Sequence, residues 1–78
     1  MKTELLDELK PGEKAVILEM SINADMGKRL MDLGFISGEE IEFFSKSILG
    51  DPKAFLIKGA VVALRKNDCR KIKVKRIE

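Results

Sequence analysis

The stretch Lys28-Arg29-Leu30-Met31-Asp32-Leu33-Gly34-Phe35-Ile36-Ser37-Gly38 constrains this chain more than any other. Met26, Leu30 and Leu33 are spaced to share one face of a helix, and Gly34 follows where a left-handed residue would end it. Phe35 is then the apolar residue that folds back onto the last turn, against Leu30. Ser37-Gly38 supplies a second turn before Glu39 to Phe43 begin to alternate. A helix end, a reversal and a strand start are thus specified within eleven residues.

Upstream, Thr3 to Leu9 reads as a short helical turn with Thr3 as N-cap and Leu5, Leu6 and Leu9 on one side. Pro11-Gly12 stops it. Glu13 to Met20 contains the unbroken run Ala15 to Leu18 and predicts a strand buried on both faces. Asn23 or Asp25 caps the helix ending at Leu33, and Lys28, Arg29 and Asp32 face water. Gly27 weakens that helix by about 1 kcal/mol relative to alanine, so packing must support it.

Downstream, Glu39 to Ser45 is a second strand with Ile41 and Phe43 inward, and Phe44 breaks its alternation as a bulge or a strand end would. Lys46 to Lys53 is the longest irregular stretch, and Ile48 and Leu49 at its middle either tuck beneath it, the favoured reading, or remain exposed as a sticky tip. Ala54–Lys58 and Val61–Arg65 form a hairpin over Gly59-Ala60. Asn67 caps a single turn, Asp68 to Lys71, that carries Cys69 inward as a half-buried apolar residue. Ile72 to Ile77 closes the chain with Ile72 and Val74 inward and Lys71, Lys73 and Lys75 outward. Five short strands around one small core, with one helix between the first two and a one-turn helix before the last, predict a mainly β, SH3-like barrel spanning residues 1–78 as one domain.

Charge and composition narrow the function. The 78 residues include no histidine, tryptophan or tyrosine and one cysteine. The commonest general base and the commonest neutral metal ligand are therefore missing, which argues against an enzyme and against a metal site. No catalytic, cofactor or metal residues are assigned. A single thiol forms no internal disulfide, and no segment reaches the ~20 apolar residues of a membrane helix, so a soluble cytoplasmic protein is expected. Arg65 to Arg76 hold seven basic residues against Asp68, a local charge of +6 in a chain of net charge +2. That segment is either an electropositive face for an acidic partner or the solvated face of an edge strand. The missing stacking aromatics count against nucleic acid.

Leu30-Met31-Asp32-Leu33-Gly34-Phe35 with Gly38, then Gly50-Asp51-Pro52, then Gly59 before Val61-Val62-Ala63-Leu64-Arg65-Lys66, then Ile72 and Val74, together with Leu9-Lys10-Pro11-Gly12-Glu13-Lys14-Ala15, resemble the FeoA family in order and spacing. Ser37 stands where the family often has proline. The resemblance implies a non-enzymatic accessory of bacterial ferrous iron uptake that binds the cytosolic GTP-binding part of the FeoB permease. It also brings in the SH3-like C-terminal domain of iron-dependent repressors as an alternative, and a small nucleic-acid-binding barrel is a third. The exposed positions expected to read a partner are Lys28, Arg29, Met31, Asp32 and Ile36, with Ile48 and Leu49 at the loop tip. No small-molecule substrate is expected, and weak self-association through the sheet edges is left open.

Overall fold

The computed structural model of the chain describes residues 3–77. Its elements run β1 (Thr3–Leu5), a 3-10 turn (Leu6–Glu8), β2 (Lys14–Met20), α1 (Ala24–Asp32), β3 (Glu40–Lys46), β4 (Lys53–Ile57), β5 (Ala60–Leu64), α2 (Lys66–Cys69) and β6 (Ile72–Ile77). The strands form one antiparallel sheet in the order β1-β6-β2-β3-β4-β5. This is the expected SH3-like architecture with one strand more than the sequence suggested.

The extra strand is β1. Thr3 to Leu5 pairs with Val74 and its neighbours on β6 instead of capping a helix. The turn starts only after Leu5, whose N–H donates to Glu8 Oε1 at 2.8 Å. Leu6 and Leu9 reach the core, whereas Leu5 remains 37% exposed. Sheet pairing claimed the residues that periodicity alone placed in a helix.

The sheet curls because two of its ladders slip. The β2–β6 register shifts between Ile17 and Glu19, and the β3–β4 register shifts between Phe43 and Ser45. Each bulge bends and overtwists its strand. The bulge expected at Phe44 is therefore present, and Phe44 is turned outward. The curl brings the inner residues of five strands, both helices and the 3-10 turn into one cluster. Ala15, Ile17, Ile41, Phe43, Phe55, Ile57, Leu64, Ile72 and Val74 meet Leu6, Leu30, Phe35 and Cys69 there. Phe43 and Phe55 lie opposite each other across β3–β4 with ring centroids 5.3 Å apart.

On β2 only Ala15 and Ile17 are buried, while Val16 and Leu18 are half-covered. The run predicted burial on both faces. The outward-facing Val16 and Leu18 stay outside the buried cluster that Ala15 and Ile17 join. The hairpin is present but its turn lies one residue earlier than expected: Lys58 and Gly59, both at positive φ, form it, and Ala60 is the first residue of β5, paired with Ile57. Cys69 is fully buried, more deeply than expected.

Candidate functional site

Helix α1 is placed by its two ends. Asn23 caps its start, accepting the Met26 N–H on Oδ1 at 2.9 Å. Gly27 lies against Ile22, whose Cγ2 would stand 3.3 Å from an added Cβ. At the other end Gly34 N–H donates to the Met31 carbonyl at 3.0 Å and Phe35 N–H to the Leu30 carbonyl at 2.9 Å. With Gly34 at φ +106°, this pair of bonds is the glycine-terminated stop that the sequence predicted. Leu30 and Phe35 are both buried beneath it.

The stop displaces Leu33. Expected on the apolar face with Leu30, it is the C-cap residue and stays 41% exposed. Core space below the helix end is taken by Phe35, which returns from beyond the reversal. Leu33 therefore joins Met31 (56%) and Ile36 (43%) as exposed apolar side chains around one helix terminus. Asp25, Lys28, Arg29 and Asp32 line a shallow depression on the same helix. Two acids and two bases thus lie beside three aliphatic side chains.

The backbone under this surface is tightly bound. Glu39 N–H donates to the Ile36 carbonyl at 3.0 Å, and Gly38 N–H reaches the Ile17 carbonyl of β2 at 2.8 Å. The Lys58 stem lies across Gly34, its Cδ 3.0 Å from where a Cβ would be, and Lys58 Nζ stands 3.5 Å from Glu39 Oε1. The β4–β5 turn is thereby fastened to the helix end. Nothing in the spacing of the sequence pointed to Lys58.

Ile48 and Leu49 do not tuck in. They are 103% and 91% exposed, at a tip stapled by Gly50 N–H to the Ser47 carbonyl and by Ser47 Oγ to the Asp51 carbonyl. The Gly50–Ser47 bond closes a four-residue turn in which Ile48 and Leu49 are the two central residues, and their side chains project outward. The tip follows Lys46, whereas Ile36 precedes the first residue of β3, so the two groups lie at opposite ends of the β3–β4 ladder. The seven predicted contact residues form two surfaces separated by about 17 Å of strand.

The basic C-terminal segment is partly neutralised. Lys73 pairs with Glu19 at 2.9 Å, Arg70 with Asp7 at 3.6 Å, and Arg76 with both Glu4 and Glu13 at 3.3 and 3.0 Å. Acids of β1, β2 and the N-terminal turn thus face the cations of β6 and α2, which leaves less positive charge for a polyanion than the sequence count suggested. The turn before β6 begins at Lys66, and its cap comes from Asp51 Oδ1, which accepts the Lys66 N–H at 2.8 Å, in place of the expected Asn67.

Chemistry at Cys69 is blocked by burial, which pushes its thiol up to about 12. A thiol in that state is protonated at neutral pH and is a poor nucleophile. Among the described residues no three His, Cys, Asp or Glu side chains gather as a metal site. Likewise no helix of the described residues is long and apolar enough to cross a membrane. What the surface offers around the helix end is exposed apolar side chains interspersed with charged ones, a mixture common in protein contacts.

Comparison with known proteins agrees with this architecture. The FeoA domain model matches residues 5–76. A Fe(2+) transport protein A/Fe(2+) transporter FeoB fusion protein of Porphyromonas gingivalis is 35% identical over 72 residues, which cover 92% of this chain and 8% of the fusion. The chain therefore spans a small part of that relative. The solution structure of FeoA from Chlorobium tepidum superposes with a TM-score of 0.92 at 29% identity, covering 96% of this chain and 71% of that one. Stenotrophomonas maltophilia FeoA, a zinc complex described as a prokaryotic SH3 domain protein, gives 0.79 at 28% identity over 92% of this chain and 89% of its own. The T. acidophilum IdeR matches with a TM-score of 0.84 at 20% identity, covering 99% of this chain and 35% of that one, which shows a shared fold alone. The sequence motifs, the curled sheet and the match over residues 5–76 lead to one conclusion: this chain belongs to the FeoA domain family.

Proposed function

We propose that this protein is a non-enzymatic accessory of ferrous iron uptake that docks on the cytosolic GTP-binding part of a FeoB-type permease. The observation that carries this reading is the helix-end surface. Met31, Leu33 and Ile36 expose aliphatic side chains beside Lys28, Arg29 and Asp32, on backbone held by the Leu30–Phe35 reversal. A rigid surface of mixed apolar and charged side chains loses little conformational entropy on binding. Support for the partner comes from the Porphyromonas gingivalis protein, which carries the two names in one chain. Fusing two domains raises their effective concentration, an advantage where they act in contact.

Ile48 and Leu49 stand at the far end of the β3–β4 ladder and are a separate surface in this reading. The test is a titration of the full chain with the purified soluble GTP-binding domain of a FeoB partner, followed by calorimetry and by amide shifts. Shifts centred on residues 28–36 support the reading. Absence of binding, or shifts centred on residues 47–50, overturns it.

A further inference from the structure

The sheet has two edges, β1 and β5, and they are protected unequally. β1 is three residues long, its Glu4 is paired with Arg76 of β6, and the Leu5 N–H is already taken by Glu8 Oε1. Shortness, charge and an occupied donor are the usual means of closing an edge. β5 has none of them. Ala60-Val61-Val62-Ala63-Leu64 contains no charge and no proline, and its five pairs with β4 run without a bulge. Outside that ladder, its backbone makes no hydrogen bond to the backbone of other described residues.

The turn geometry says which groups are free. A two-residue turn makes Ile57–Ala60 the closing, hydrogen-bonded pair. Pairs alternate from there, so Val61 and Ala63 aim their N–H and C=O away from β4. Val61 is 56% exposed and Ala63 is exposed as well. Exposed Lys58 precedes this segment, and exposed Arg65 and Lys66 follow it.

We propose that the outer edge of β5 is a strand-addition site, taking as a seventh strand an extended segment of a partner protein with an apolar centre and acidic flanks. The backbone of Val61 and Ala63 supplies the ladder, and Lys58, Arg65 and Lys66 select the flanks. The same cations disfavour a second copy as occupant. In a twofold antiparallel pairing centred on Val62, the end of β5 leading into Arg65 and Lys66 of one copy meets the Lys58 turn of the other, so like charges gather at both ends of the pairing. Acidic flanks convert both positions to attraction.

The test uses the full chain and a synthetic peptide with a Val-Thr-Val-Thr-Val centre and paired glutamates at each end. The expected result is amide shifts confined to Lys58 and residues 60–66, with slowed exchange at Val61 and Ala63. N-methylation of the peptide at alternate residues removes the response in one phase and spares it in the other. Ala63→Pro deletes one outward N–H on an edge and abolishes the response, while the methylated peptides keep the test valid if that variant misfolds. Three results overturn the proposal: no shifts across the millimolar range, equal binding by both methylated peptides, or a dimer in the free protein whose contacts cover β5. An Arg29→Glu variant keeps the β5 response, which separates this site from the helix-end surface.

Discussion

Asp51 Oδ1 accepts the backbone N–H of Lys66 at 2.8 Å, so the loop between β3 and β4 caps a helical turn fifteen residues away. Arg65, the residue at the N-cap position itself, offers no side-chain acceptor. The loop stem, α2 and the approach to β6 are thereby one unit. Asp51→Ala should cost about 1 kcal/mol, and Asp51→Asn should retain most of it, because the amide oxygen also accepts. In a chain of this size that loss lowers Tm by roughly 4–8 °C. Urea unfolding of the two variants checks it. Equal loss in both would mean that the carboxylate charge, and not the cap, is what matters.

Gly34 and Gly12 separate two costs that are usually confounded. Both have positive φ, +106° and +88°, but an added Cβ at Gly34 meets Lys58 Cδ at 3.0 Å while at Gly12 it meets nothing within 4 Å. Alanine at either position incurs about 1–2 kcal/mol of left-handed strain. At Gly34 it also pushes the Lys58 stem aside and loosens the contact with Glu39. Gly34→Ala should therefore destabilise more than Gly12→Ala in the same urea titration, and Lys58→Ala in the Gly34→Ala background should recover the difference.

These two contacts also show what was legible in the sequence. The helix stop at Gly34, the inward pairs Ile41/Phe43 and Ile72/Val74, and the existence of the β4–β5 hairpin, though not its exact turn residues, follow from local spacing, because each depends on residues within one turn or one strand. The Asp51 cap, the Lys58 stem over Gly34 and the strand Thr3–Leu5 join residues far apart in the chain, and periodicity carries no signal for them. Leu33 was misplaced for a related reason. Its spacing from Leu30 is helical, but the core position below it is filled by Phe35 from across the reversal. The site was legible as a set of exposed residues and not as a surface. Only the sheet register shows that Ile48 and Leu49 stand at the other end from Ile36.

Glu13 gives an acid-side prediction. The Lys10 N–H donates to Glu13 Oε1 at 2.7 Å and the Arg76 guanidinium to Oε2 at 3.0 Å. The backbone bond first, then Arg76, holds the Glu13 carboxyl below its ordinary value of 4.5. A depressed folded-state pKa contributes stability that is present above the unfolded value and lost as pH falls through the folded one. The wild-type urea midpoint should therefore fall on acidification below about 4.5, and Glu13→Gln should flatten that fall. Parallel curves for the two proteins would assign the acid loss to other carboxylates.

Cys69 predicts chemical silence. It is fully buried, and burial raises its thiol from 9.0 to about 12. A raised folded-state pKa contributes stability present below the unfolded value and lost as pH rises past it, so stability should decline above pH 9.0. At neutral pH an aromatic disulfide reagent should label Cys69 only through unfolding, at a rate that tracks added urea. Rapid labelling of the native chain would mean that the α2 turn opens on its own.

The two ends of the β3–β4 ladder can be told apart by paired variants. Arg29 and Met31 are exposed on α1, and Ile48 and Leu49 project from the opposite tip, so neither pair contributes core packing. Arg29→Glu with Met31→Ser, and separately Ile48→Ser with Leu49→Ser, should each change stability by no more than about 0.5 kcal/mol per site. Their effects on binding should differ. If the helix-end surface meets the permease, the first pair removes an apolar anchor and reverses a rim charge, and affinity should fall roughly tenfold or more. Reversing Arg29 also changes the association rate and its dependence on ionic strength, because a rim charge acts mainly on encounter. The second pair should leave affinity and salt dependence as they were. A loss confined to the Ile48/Leu49 pair would move the docking surface to the loop tip, and calorimetry on the wild type and the two double variants at two salt concentrations distinguishes the outcomes.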